Sequence, residues 1–162
     1  MSNREKNGTL ARTLLRVPVP WVFVLTYLAG AGLEAAFHFG GFLRDYDFVT
    51  PAGSVVFVLG ASLAAWGWLL FHRAQTTRVP GETSTTFVTW GPYRFTRNPM
   101  YVGLSIAYLG EAGILRQVAP VVLLPLTIAY LNSVVIPVEE ERLAAAFGAQ
   151  YERYQRDVRR WI

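Results

Sequence analysis

Half of this 162-residue chain lies in four apolar runs, residues 17–39, 51–71, 100–115 and 118–138, and no water-soluble fold of this size could hide them all. A helix crosses a bilayer core with about 20 apolar residues. The first run carries only Glu34 and His38 as ionisable groups. The second and fourth carry no charge, and the third is short and interrupted by Glu111. Backbone amides cannot stay unpaired in hydrocarbon, so all four are read as helices. The chain is therefore expected to be an all-α integral membrane protein, a single membrane domain of about four transmembrane helices. Only Arg116 and Gln117 separate the last two runs, which makes them an antiparallel hairpin. The third is brief enough to sit partly inside protein. Ala29-Gly30-Ala31 resembles a signal-peptide cleavage site, but the apolar character continues to Phe39 and favours a span.

Charged residues make up 16% of the chain, against about 25% in soluble domains, and they are unevenly placed. Thirteen of fifteen Lys and Arg lie in the N-terminal tail, the 72–99 loop and the C-terminal tail. Arg44 and Arg116 lie in the two opposite loops. By the positive-inside rule both termini and the long loop face the cytoplasm. The net charge of +4 is explained by orientation, so no nucleic-acid partner is expected. With no cysteine and two histidines, disulfide scaffolds, Cys-ligated metals and multi-histidine di-iron centres are excluded, and no metal is expected.

Small residues recur at helix-packing spacing: Gly60 and Ala64, then Gly103, Ala107 and Gly110. Close packing of helix backbones is the expected role. No internal repeat is present, so an inverted-repeat transporter is not suggested. Leu143, Phe147, Tyr151, Tyr154, Val158 and Trp161 form a helical stripe, which predicts a C-terminal amphipathic cytoplasmic helix that lies at the interface or caps the bundle. Gly148 weakens it locally.

Two segments could carry chemistry. In Trp90 to Gly103, Gly91-Pro92 reads as a turn, and Pro99 suits the first turn of a helix with Asn98 at its N-cap. Arg94 and Arg97 add cations, and Tyr93 and Tyr101 add aromatic faces. Such a cluster suits a ligand with an anionic group and an aromatic ring. A membrane-interface loop, basic by orientation and aromatic by position, would carry the same residues. Past the fourth run stand Glu139, Glu140 and Glu141, spaced at ~100° around a helix, so not all can face one site.

The segment Gly91-Pro92-Tyr93-Arg94, then Arg97-Asn98-Pro99-Met100-Tyr101-Val102-Gly103, resembles the signature of isoprenylcysteine carboxyl methyltransferases and the related phospholipid N-methyltransferases, in their bacterial-type branch. The tail resembles them through Glu139-Glu140, Leu143, Phe147-Gly148, Tyr151, Tyr154, Val158 and Arg160-Trp161, and so does 71–77. The resemblance implies S-adenosyl-L-methionine (SAM)-dependent methyl transfer to a lipid-like acceptor at the cytoplasmic membrane face. It implies that residues 72–162 form the cofactor site, with 1–71 supplying a tail and two spans. Asn98, Pro99, Met100 and Tyr101 would line the cofactor, Gly103 would give close approach, and Glu139 or Glu140 would hold its ribose or amino group. Tyr93 and Arg97 would be near neighbours of the same site. Eukaryotic members carry His where this chain has Asn98, and an arginine about a turn before the Glu pair, where this chain has Ser133, Val134 and Val135. Neither a general base nor the substrate is carried over.

Two other readings remain. One is an NADPH-dependent membrane reductase related to sterol reductases, whose last spans and tail are alike. The other is a small-molecule transporter using Glu34 as its coupling carboxylate, since an ionisable residue inside a span is a functional hypothesis. Glu34 and His38 lie four apart and can pair. A structural pair is the reading preferred for them, because both sit far from the predicted cofactor region.

Overall fold

The computed structural model describes residues 18–76 and 87–162. Arg4, Lys6, Arg12, Arg16 and Arg78, counted above toward orientation, lie outside the described residues, as does Thr77. Helix α1 is Val19–Phe37, followed by a 3-10 turn at Phe39–Asp45, and α2 is Val49–Thr76. After a second 3-10 turn, Gly91–Arg94, α3 is Pro99–Ile114. Helix α4, Ala119–Tyr130, runs through a π turn, Leu131–Val135, into α5, Ile136–Phe147. Helix α6 is Ala149–Asp157.

Among the described residues, three helices are long and apolar enough to cross a membrane: α1, α2 and the continuous rod Ala119–Phe147. The fourth, α3, has 16 residues and is about 24 Å long at ~1.5 Å per residue, short of a ~30 Å core. It is enclosed by protein instead. Ala112 is 1% exposed and Tyr108 4%. Tyr101 and Tyr108 join Phe23 and Tyr27 of α1 and Leu124, Leu131 and Ile136 of the rod in one core. The outward faces of the other helices remain apolar, with Leu28, Val58, Leu59 and Leu126 each well exposed, as lipid-facing side chains should be. Trp66 and Trp68 lie on that exposed face.

Helices α2 and α3 run antiparallel with their backbones in contact. A methyl placed on Gly60 would meet the Ala107 amide, and one on Gly103 the Ala64 amide. Gly53 and Gly110 meet in the same way at the far end. Without a hydrophobic force between helices in lipid, such approach is the main source of their attraction. The small-residue spacing thus acts in packing, as expected.

The rod is longer than expected, passing Val138 to reach Phe147. Pro137 does not stop it. The π turn immediately before that proline widens the helix and eases the clash its ring would make with the carbonyl four residues back.

The C-terminal stripe differs from expectation. Its helix breaks at Gly148, which takes φ 49° and ψ −126°, and ends at Asp157. Val158 is extended, and the last residues fold back over the start of α3. The turn between α5 and α6 lets Tyr151 and Tyr154 both face inward, at 1% and 8% exposure. The segment caps the bundle.

Glu34, expected to form a structural pair with His38, makes its side-chain hydrogen bonds to backbone amides. His38 takes a left-handed conformation, φ 55°, that ends α1. The Glu34 carboxylate accepts hydrogen bonds from the backbone amides of Gly40, Val118 (2.9 Å) and Ala119 (3.0 Å). It therefore satisfies the otherwise unpaired donors that begin α4 and ties three segments together. Tyr108 closes the α3–α4 hairpin nearby, donating to the Pro120 carbonyl at 2.9 Å.

Three variants test these claims by thermal unfolding in detergent. Gly103→Ala should cost about 1–3 kcal/mol, because backbone has to move. Gly32→Ala, with open space around it, should be neutral or stabilising by up to ~1 kcal/mol. Glu34→Ala leaves three backbone donors unpaired and should cost at least about 3 kcal/mol. Wild-type stability in that variant would remove the structural role assigned to Glu34.

Candidate active site

The segment that begins α3 is shaped by two residues. Gly91 sits at φ 64°, which side chains rarely adopt, and Pro92 starts the 3-10 turn. The turn buries Tyr93, whose hydroxyl donates to the Gly67 carbonyl at 3.3 Å. Burial, reinforced by the Glu139 charge, pushes the Tyr93 phenol up to about 12, so it stays a neutral donor. Tyr154 donates to the Tyr93 carbonyl at 2.7 Å and clamps α6 onto the turn. Arg94 is exposed and points away from the site.

Asn98 occupies the N-cap position of α3, but its side chain makes no cap hydrogen bond. Its amide donates instead to the Arg160 carbonyl at 2.9 Å, beside the Thr96 hydroxyl, which donates to the same oxygen at 3.1 Å. The Arg97 amide donates to the Arg159 carbonyl at 2.9 Å. Three consecutive residues thus bind the returning, extended C-terminal tail. These donors explain why the amphipathic helix stops at Asp157: the tail's carbonyls bond the loop rather than another helical turn.

Behind that tail lies a cavity of about 570 Å³. Tyr93, Arg97, Asn98, Pro99, Met100, Tyr101, Glu139 and Glu140, eight of the nine residues singled out from the sequence, line it. Gly103, the ninth, is one turn further along and faces α2, where it serves helix packing. Glu141 is exposed, so two of the three adjacent carboxylates face inward. Phe71, Phe87, Leu143 and Phe147 form the apolar side. Phe87 packs against Phe147 and sits edge-on to Tyr151 and Tyr154, with ring centroids 4.9, 5.6 and 5.0 Å away.

The charged side is a connected set. Tyr101 donates to Glu139 Oε1 at 2.7 Å. Glu140 receives Arg160 through Nε at 3.1 Å and Nη2 at 2.6 Å. Arg97 Nη1 lies 3.2 Å from Glu140 Oε1, but off the line of a hydrogen bond. Arg97 Nε and Nη1 are buried without a hydrogen-bond partner among the described residues. Glu140 thus lies between two guanidiniums. Burial and the Glu140 charge push the Tyr151 phenol up, against the pull of Arg97, and keep it protonated.

Sequence reasoning missed Arg160 and Asn132 as parts of this network, and it placed Phe87 nowhere. Arg160 carried a signal, since it stands in the tail motif, but its helical stripe pointed the wrong way. Asn132 and Phe87 carried none, because their partners are distant in the chain.

Glu140→Gln should cost about 3 kcal/mol, because it leaves two largely buried cations without their carboxylate. The exposed neighbour Glu141→Gln should stay within about 0.5 kcal/mol of wild type. Thermal unfolding of the two proteins side by side checks this.

The profile of the phospholipid methyltransferase family matches residues 49–150, from the start of α2 to the start of α6. The chain is 31% identical over 137 residues to the cobalt-zinc-cadmium resistance protein CzcN of Cupriavidus metallidurans, covering 82% of this chain and 58% of that protein. It is 30% identical over 118 residues to a probable protein-S-isoprenylcysteine O-methyltransferase of Oryza sativa subsp. indica, covering 72% of this chain and 62% of that protein. The chain thus spans about three fifths of the length of the curated relatives it matches. No solved structure matches it. A profile that matches 102 of the 162 residues, in a chain of all-α membrane architecture, leads to one conclusion: the chain belongs to the phospholipid methyltransferase family.

Proposed function

We propose that the chain transfers a methyl group from SAM to a lipid-like acceptor at the cytoplasmic face of a bacterial or archaeal inner membrane, with both termini cytoplasmic. The observation that carries this reading is a single cavity with a charged corner and an apolar, aromatic side, reached by helices that leave the lipid. Its size falls in the range of small-molecule and cofactor sites, about 300–1,000 Å³.

The residues fit the cofactor. Arg97 has two buried N–H groups that lack acceptors, and leaving a charged donor in that state costs at least about 1–3 kcal/mol. A ligand carboxylate at that edge would recover the loss. Glu139, held by Tyr101, suits an ammonium or a ribose hydroxyl. The Tyr151, Tyr154 and Phe87 rings suit an aromatic base. When bound, SAM supplies a methyl group already activated on a sulfonium.

The chain's own task is then to position and to dry. Arg97 and Glu139 fix the two ends of an amino-acid group. Phe71, Phe87, Leu143 and Phe147 offer an apolar bed for an acceptor entering sideways from the lipid. Excluding water and holding both partners in place supplies up to about 7–11 kcal/mol of a barrier. The Asn98 amide is engaged by the Arg160 carbonyl and is given no proton-transfer role. An acceptor that is anionic at neutral pH needs none. Glu34, bound by three backbone amides at the opposite end of α3, is consumed by structure, which removes the observation behind a transporter.

Calorimetric titration of the detergent-purified chain with S-adenosylhomocysteine, with NADPH alongside, tests the reading. Micromolar binding of S-adenosylhomocysteine is expected, with no heat from NADPH. Arg97→Gln and Glu139→Gln should each weaken it by about 10–100-fold, the worth of a charged hydrogen bond. Binding of NADPH alone would favour the reductase.

A further inference from the structure

We infer that Arg160 is a positioning residue of this site: by occupying Glu140, it leaves buried N–H donors of Arg97 unbonded and available to the carboxylate of the bound cofactor. The inference rests on the cofactor reading proposed above and adds a residue to it.

Arg160 does not line the cavity. It nevertheless controls a residue that does. Its guanidinium holds Glu140 through two nitrogens, at 3.1 and 2.6 Å, whereas Arg97 reaches the same carboxylate with one nitrogen at 3.2 Å. A carboxylate facing a single arginine prefers two parallel bonds to it, which would use the arginine's donors as a pair. With Arg160 taking that place, Arg97 Nε and Nη1 stay unbonded although buried.

Arg160 is itself held from two directions. Its carbonyl accepts from Thr96 and Asn98, the residues on either side of Arg97, so the same tail fixes the Arg97 backbone. Its Nη1 donates to Asn132 Oδ1 at 3.1 Å, and the Trp161 indole N–H reaches the same oxygen at 3.4 Å. Asn132 lies in the π turn, an irregularity frequent at functional sites. The π turn, the extended C-terminal tail and Glu140 thus act together on the unbonded donors of Arg97.

The test compares two ligands on the full chain in detergent. S-adenosylhomocysteine and 5′-methylthioadenosine share the adenosine and thioether, but the second lacks the amino-acid end. In Arg160→Gln, Glu140 is free to take Arg97. Affinity for S-adenosylhomocysteine should fall about tenfold, while affinity for 5′-methylthioadenosine stays the same. Arg160→Lys, which keeps the charge but not the two-pronged geometry, should give an intermediate ratio. Asn132→Ala should shift the ratio in the same direction, and these two variants decide the matter should Arg160→Gln fail to fold. Equal weakening of both ligands would mean a merely structural role and would overturn the inference, as would an unchanged ratio. A wild-type chain that binds neither ligand would sink the methyltransferase reading itself, and this inference with it.

Discussion

Direct backbone contact between α2 and α3 is the constraint on which the rest of this protein depends. At 16 residues α3 is too short to cross a bilayer by itself, and its polar start carries the segment from Tyr93 to Tyr101 that walls the cavity. Only a neighbour allowing close approach can hold such a helix at a defined height. Gly60 and Gly103 provide that approach, each facing backbone of the other helix, with no room for a side chain between them. Phe23, Tyr27 and the rod then enclose the remaining sides of α3. The far end is tied by Glu34, whose carboxylate binds amides from the turn after α1 and the start of α4.

The site is assembled by a different kind of force. Its charged corner is built across long chain separations by hydrogen bonds between the start of α3 and the last residues of the chain. The tail runs extended only because Thr96, Arg97 and Asn98 present donors to it. Its side chain Arg160 then enters the charge balance around Glu140. A cavity polar at one corner and aromatic elsewhere is what a zwitterionic, adenosine-bearing ligand and an apolar acceptor would share.

The departures from sequence expectation have physical causes. The stripe from Leu143 to Trp161 has the spacing of one helix, yet Gly148 turns it and the tail leaves helical geometry after Asp157. Periodicity registers which side chains are apolar, and it cannot see donors waiting on a distant loop. The spacing of Glu34 and His38 suggests a local structural pair, but it cannot show that the Glu34 carboxylate also binds backbone amides of residues 40, 118 and 119. Gly103 was placed at the site by its motif and is found against α2. In that one residue, the spacing rule for helix packing was a better guide than the motif.

By itself the sequence determined the class of fold. Uninterrupted apolar runs oblige helices in a bilayer, and the small-residue spacing obliges close packing between them, since both follow from local chemistry. The sequence also identified eight of the seventeen residues that line the cavity, because they stand in two compact motifs. Tertiary structure alone decided what each of them does. Of two adjacent carboxylates, Glu140 is shared between two arginines while Glu139 is held by Tyr101. Asn98 holds the tail rather than capping its helix. Arg97 keeps unpaired donors. Each outcome depends on which partners arrive from far along the chain, and no local pattern carries that information.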